Sequence, residues 1–272
     1  MSEVDLRAEA MEWGARARRG GAWYAAEHRI LSMKAFAITL VMLMFANPLL
    51  YLLSLGLGLA SLITAEVGGV SYIVFVAPAL LAAAALTGGA EESTYPVLLG
   101  FKFNPMFFSM AASPLQPRQI ATGVFIGTAL RVVPTVVVYY GILLLFQATP
   151  SALGALTILT ASLVGMTAAS LVTWYTATVI DDKGQMAVIM RFIVMPMFLF
   201  SGTFFPLTQL PLYLQWIGWI SPLWHASELG RVLSYGMPEP LWLTVTHVVV
   251  LVTLLVAGWI GAQRVFDRRL NS

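Results

Sequence analysis

A chain of 272 residues in which 59% are hydrophobic and only 10% charged is far from a soluble domain, where about a quarter of residues carry charge. Its mean hydropathy of +0.82 places most of it in lipid. The net charge of +2 is too small to argue for a nucleic-acid partner, and the lack of cysteine excludes disulfides and thiolate chemistry.

The first thirty-odd residues are charged throughout and hold no early apolar core, so a cleaved signal peptide is not expected. Within them Trp23, Ala26, Ile30 and Met33 share one helical face, with Glu27 and Arg29 off it. That pattern predicts a helix lying in the inner interface and leading into the first span, with Gly20–Gly21 as a break before it. The competing reading is a solvated tail with aromatic anchors.

A spanning helix needs about 18 or more apolar residues, because the hydrocarbon core is roughly 30 Å thick and a helix rises ~1.5 Å per residue. Six runs meet that length: about Ala35–Ala60, Tyr72–Ala90, Ile120–Phe146, Leu153–Ile180, Met186–Phe205 and Leu241–Phe266. The expected fold is an all-α membrane protein with six transmembrane helices, an N-terminal interfacial helix and short re-entrant helices before the last span. One domain is expected over 1–272, with a cytoplasmic or interfacial segment 1–34, a six-helix membrane part 35–266 and a tail 267–272. Lys and Arg gather in the N-terminal segment, in the loops after the second and fourth spans and in the tail, whereas the opposite loops hold only Arg231. Both termini are therefore expected in the cytoplasm of an inner-membrane, multi-pass protein.

In the first span Ser54 and Gly58, and Gly56 and Ala60, are small-xxx-small pairs that permit close helix approach, within one bundle or between two copies. The stretch after the second span, "EESTYPVLLGFKFNPMFFSMAASPLQPRQI", is too long and apolar to be a tether. Phe107, Met110 and Ala111 lie at helical spacing, and Pro114 and Pro117 set the turn into the next span. A short helix there either docks a partner or packs back on the membrane surface.

Two arginines interrupt apolar runs. Arg191 lies within snorkelling reach of the interface and is expected to pair with Asp181 or Asp182. Arg131 is deeper, and two readings stay open: it faces a polar pathway or binds a lipid phosphate, or it marks where the hydrophobic part of its helix begins. After the fifth run, "FSGTFFPLTQLPLYLQWIGWISPLWHASELGR" is greasy but cut by Pro and Gly into pieces shorter than a span. Two short helices dipping into the outer leaflet and divided at Ser221–Pro222 suit that pattern, because irregular backbone at membrane depth must be buried in protein or line a cavity; the competing reading is one amphipathic helix lying flat outside.

The absences narrow the function. None of the three lysines, Lys34, Lys102 and Lys183, follows a glycine, so no phosphate-cradling loop exists and no ATP hydrolysis is expected in this chain. "HASE" sets His225 and Glu228 at i and i+3, either a hydrogen-bonded pair at a cavity mouth or a metal or acid–base pair. There is no H-E-x-x-H site and no nucleophile elbow. Glu91, Glu92, Asp181 and Asp182 sit at span ends and Glu66 in an outer loop, which argues against an ion-coupled carrier or cation channel.

Three segments, "NPLLYLLSLGLGL" (Asn47–Leu59), "EESTYPVLLGFKFNPMFFSMAASPLQPRQIATG" (Glu91–Gly123) and "MPMFLFSGTFFPLTQLP" (Met195–Pro211), resemble in the same order the type-2 ABC exporter permeases, especially the NodJ-like lipo-oligosaccharide branch. The resemblance runs from about residue 25 to the C-terminus. It implies a permease half-transporter working as a homodimer among membrane lipids, with two copies of a separate ABC ATPase that bind ATP and Mg and no cofactor or metal in this chain. It implies that Phe103 to Arg118, with Phe107, Met110, Pro114, Leu115, Gln116 and Arg118, sits in a cleft of the ATPase, flanked by Glu91 and Glu92. The paired short helices would close the outer end of the pathway, making Phe200, Phe204, Phe205, Pro206, Trp219, His225 and Glu228 candidate gate residues. The first and fifth spans would meet their symmetry mates, with Ser54, Gly56 and Gly58 as candidate dimer contacts. No catalytic residue is expected. The cargo implied is amphipathic or lipid-like: a glycolipid, a lipo-oligosaccharide, or a hydrophobic drug or antibiotic. The rivals are a membrane-embedded lipid-modifying enzyme using His225 and Glu228, and a passive channel or scaffold.

Overall fold

A computed structural model describes residues 3–59, 62–63, 66–102 and 105–271. The expected end of the first span at Ala60, and Phe103 in the coupling stretch, lie outside the described residues. Helix α1 runs Glu3–Lys34 and α2 Ala37–Tyr51, the latter widening into π-type turns over Leu52–Leu59. Then come α3 (Tyr72–Ser93), α4 (Tyr95–Phe101), α5 (Met106–Ala111) and α6 (Pro117–Leu145). A 3-10 turn at Ala152–Leu156 leads into α7 (Thr157–Thr178). Helix α8 (Gln185–Val188) passes through π-type turns at Ile189–Val194 into α9 (Met195–Phe200). Last are α10 (Leu212–Trp219), α11 (Pro222–Tyr235) and α12 (Leu241–Leu270). Among the described residues the only β pairing is an isolated bridge between Val67 and Val70.

Among the described residues five helical stretches are long and apolar enough to cross a bilayer: Ala37–Ser54, Tyr72–Phe101, Pro117–Leu145, Ala152–Thr178 and Leu241–Leu270. The fifth expected run is shorter than the sequence suggests. Its helix covers Gln185–Phe200 and stops there. The chain turns at Gly202, whose φ of +73° favours glycine, and the Ser201 hydroxyl is held by Ser221 Oγ at 2.7 Å.

Two further expectations change. Gly20–Gly21 does not break α1, which runs through both. A Cβ at Gly21 would meet Leu115 and Gln119 within 3 Å, so this glycine lets α1 lie against the start of α6. The buried side of α1 carries Gly21, Ala25 and Ala26, with Arg29 also turned inward, while Trp23 is 53% exposed. Of the stripe expected to lie in the interface, Trp23 is thus exposed and Ala26 buried. The stretch after the second span is likewise not all loop. Its first part continues α3 across a kink at Thr94 as α4. Pro96 causes the kink, since it cannot donate to the carbonyl of Glu92 four residues back.

Helix α3 is the central one: 72% of its apolar window is buried, against 11% for α2. It packs on α7 through backbone contact, because a Cβ on Gly89 would lie 2.0 Å from the carbonyl oxygen of Gly165. Helix α12 closes on α7 in the same way, Gly258 against Ser170 and Gly261 against Trp174. Lipid gives apolar faces little reason to associate, so close van der Waals approach has to hold such helices together. Thr167 adds an interhelical bond by donating to the carbonyl of Leu251 at 3.2 Å. The seam makes a direct prediction. Gly89→Leu should lower stability by about 3 kcal/mol, read as a fall in the melting temperature of the detergent-purified protein, whereas Gly88→Leu, where a Cβ meets nothing within 4 Å, should leave it unchanged.

Candidate functional site

One end of the bundle gathers α4, α5, the start of α6 and the end of α12, and it carries Lys102, Arg118, Arg268 and Arg269; it is called the basic end below. Here α5 is keyed into the bundle by rings. Phe107, 1% exposed, lies 4.8 Å from Phe101 and 5.2 Å from Phe266 of α12, centroid to centroid. Arg269 stacks over Phe101 at 4.1 Å and donates to the carbonyls of Ala177 and Val179, both at 2.8 Å, which closes the C-terminal end of α7. Lys102 donates to Asp181 at 2.5 Å and holds that carboxyl below the usual carboxylate range. Asp181 is therefore not a partner for Arg191, and Asp182 is spent accepting from the backbone N–H of Gly184 and Met186.

The residues expected to meet an ATPase divide between two faces. Phe107, Met110 and Leu115 turn toward the aromatic cluster. Phe108, Ser109, Ala112, Ser113 and Pro114 are exposed. Gln116 caps α6 in a reciprocal box with Gln119, and Arg118 is bonded to Asp267 of α12. Glu92 does not flank this surface. Its carboxylate is 8% exposed and held between two arginines: Arg29 of α1 donates to Oε2 at 2.9 Å, and Arg131 of α6 pairs with Oε1. Arg29 also donates, at 2.5 Å, to the Glu92 carbonyl that Pro96 leaves without its helical partner. Burial lowers Arg29 to about 10, so it stays charged at neutral pH. One carboxylate thus fastens three helices.

Glu91 points the other way, into a cavity of about 490 Å³ bounded by α2, α3, α6 and the α8–α9 segment. Arg131 and Arg191 share its lining. Arg131 therefore both pairs with Glu92 and faces this space.

At the far end, the segment expected to form the outer closure is held by polar contacts that sequence reasoning missed. Arg231, 1% exposed, donates to Glu228 at 2.6 Å and to the carbonyl of Gly202 at 2.5 Å, with the Phe75 ring 3.9 Å from its guanidinium carbon. Glu228 is therefore engaged by Arg231 rather than by His225, which corrects the expected His225–Glu228 pair. His225 bonds instead to His247 of α12, Nδ1 to Nδ1 at 2.6 Å. The Trp219 carbonyl accepts from His225 Nε2 at 3.0 Å, so in neutral His225 the Nδ1 atom accepts from His247. His247 Nε2 in turn lies 3.0 Å from Glu239 Oε1. Phe200, Phe204, Phe205 and Pro206 are partly buried and Trp219 is 51% exposed. Ser221 caps α11 by accepting from the N–H of Leu223 at 3.2 Å, at the expected division between the two short helices.

Of the candidate dimer contacts, Ser54 and Gly58 are exposed, and Ser54 donates to the carbonyl of Leu50 in its own helix at 2.7 Å. Gly56 lies in the same π-type stretch. Among the described residues no group of three or more His, Cys, Asp or Glu is placed to hold a metal.

This is a helical membrane bundle with a short keyed helix at its basic end and polar ties at its far end. The family described as ABC-2 type transporter matches residues 23–235, and the chain belongs to it. The protein is accordingly a permease, the membrane subunit of an ABC transporter, and a transport component rather than an enzyme. It is similar to Nodulation protein J of Rhizobium leguminosarum bv. viciae, 27% identical over 258 residues that cover 91% of this chain and 95% of that protein. Nodulation protein J of Rhizobium leguminosarum bv. trifolii is 28% identical over 226 residues (79% of this chain, 82% of that protein). That of Bradyrhizobium diazoefficiens is 26% identical over 260 residues (91% and 94%). No solved structure matches the chain.

Removing one member of a buried ion cluster strands the others. Glu92→Gln should cost about 3–5 kcal/mol, measured as a lowered melting temperature. Lys102→Gln, at a pair with Asp181 66% exposed, should barely move it.

Proposed function

We propose that this permease is the membrane half of an ATP-driven exporter for an amphipathic or lipid-like cargo such as a glycolipid, a lipo-oligosaccharide, or a hydrophobic drug or antibiotic. A separate ATPase subunit binds ATP and Mg²⁺, and two copies of each chain form the working unit. The segments α2, α3–α4, α6, α7, α8–α9 and α12 make six crossings of the inner membrane. The basic end faces the cytoplasm, in line with the preference of Lys and Arg for that side. The pieces α10 and α11 dip into the outer leaflet and close the route there. The π-type turns that follow α2, with Ser54, Gly56 and Gly58, meet their symmetry mates.

The observation that carries this reading is the two-sidedness of α5. Its outer side offers Phe108, Ser109 and the turn to Pro114, while its inner side is locked to α12 through Phe107 and Phe266. A knob so anchored passes force from a docked partner to a spanning helix without chemistry of its own. A lipid-modifying enzyme centred on His225 and Glu228 has less support, because those side chains are engaged by different partners.

Co-expression with candidate ATPases and reconstitution of the purified pair in liposomes tests the proposal. Phe108→Asp should reduce ATPase association at least tenfold and lower the permease's melting temperature only slightly, since Phe108 is 41% exposed with its ring edge-on to Phe101 at 6.2 Å. Phe107→Ala should instead cost about 3–5 kcal/mol of stability. Cargo movement by this chain alone, with no nucleotide, would overturn the reading.

A further inference from the structure

The cavity beside Glu91 is graded in polarity along its length. On α3 its wall is the stripe Leu80, Ala84, Thr87 and Glu91, spaced as one helical face and spanning about 16 Å. The α3 chain runs toward the basic end, so Glu91 lies at that end of the cavity and Leu80 at the other. Arg131 joins Glu91 at the basic end, being ion-paired to Glu92 in the next position of α3. Arg191 enters from the π-type turns at Ile189–Val194, a wide geometry often found at functional sites. Toward the far end the lining becomes aromatic, with Tyr51, Tyr139 and Phe198. On α6, Tyr139 stands two turns beyond Arg131, about 12 Å along the helix.

The charged groups around the cavity do not balance. Three guanidiniums, of Arg29, Arg131 and Arg191, face two carboxylates, of Glu91 and Glu92, leaving one positive charge in excess. Arg191 makes no ion pair among the described residues, and its exposed side chain lines the cavity. Tyr139, 1% exposed, backs the apolar part of the lining, with its hydroxyl packed away from the open space.

We propose that this cavity binds a single acidic amphiphile, its anionic head at Arg191 and Arg131 and its apolar body running past Tyr139 toward Phe198. The inference names the headgroup chemistry of the cargo and rests on the exporter reading for that role. Binding itself requires no ATPase. The excess charge selects an anion over a cation, and Glu91 beside Arg131 admits a hydrogen-bonding polar head. The aromatic far end takes a hydrocarbon body.

Calorimetric titration of the full chain in non-ionic detergent tests this with three probes. Lysophosphatidylglycerol is the acidic amphiphile, the matching monoacylglycerol has the tail without phosphate, and inorganic phosphate has the head without the tail. The first should bind saturably, one per chain, and the other two at least tenfold more weakly. Arg191→Gln should weaken lysophosphatidylglycerol at least tenfold, while Arg191→Lys should restore most of the affinity. Arg268→Gln, outside the cavity, should bind like wild type. Equal binding of monoacylglycerol, or an Arg191→Gln variant that binds like wild type, would overturn the proposal. Equal binding of inorganic phosphate would also overturn it, by showing an anion site with no part for the tail. Because no partner subunit enters the titration, a failed ATPase association leaves this result unaffected, and the two readings fall separately.

Discussion

In a bundle surrounded by oil, every broken helix leaves carbonyl groups that water cannot reach, and the rest of this structure depends on how they are satisfied. Three arginines do most of that work. Arg29 covers the carbonyl of Glu92, freed by Pro96; Arg269 covers those of Ala177 and Val179, where α7 ends; Arg231 covers that of Gly202, where α9 has given way to a turn. Each head also rests on a second support, a carboxylate for Arg29, a ring for Arg269 and both for Arg231. A planar, permanently charged fork of donors suits this role, since one head can serve a carbonyl and a carboxylate together. The breaks in the helices are therefore fixed joints.

Those joints organise function by separating what is rigid from what is open. Around α3 and α7 the backbones touch and little space remains. Helix α2 lies outside that block, with only Pro48 buried among its own residues, and the cavity lies between α2 and the block. The charged groups at the cavity's basic end are anchored from behind, since Arg131 takes its position from Glu92 and Glu92 from Arg29. An electropositive lining set by a three-helix ion cluster keeps its geometry even if α2 shifts.

The sequence made some of this plain and hid the rest for identifiable reasons. Pro117 after Gln116 announced the start of α6, and Ser221 before Pro222 announced that of α11, because caps and proline act within a few residues of themselves. Arg231 looked like a solitary charge in an outer loop, since two of the groups it meets are backbone carbonyls, which leave no mark on the sequence. Glu91 and Glu92 looked alike as neighbours at a span end, yet a helix turns adjacent residues about 100° apart, and one faces a cavity while the other faces two arginines. A signal was available there: Pro96, four residues on, declared that the Glu92 carbonyl needed a donor. The fifth run read as a full span because its aromatics continue past Phe200. Only the Ser201–Ser221 bond and the turn at Gly202 show where the helix stops.

Helix α12 carries Phe266 near one end and His247 near the other, nineteen residues and about 28 Å apart along an unbroken axis. The first is packed against α5, and the second is bonded to α11. A straight helix is stiff along its length, so these two attachments behave as the ends of one pushrod. A displacement of α5 is thereby carried along α12 to α11 at the other end of the bundle, with no relay of intermediate side chains to be timed or lost.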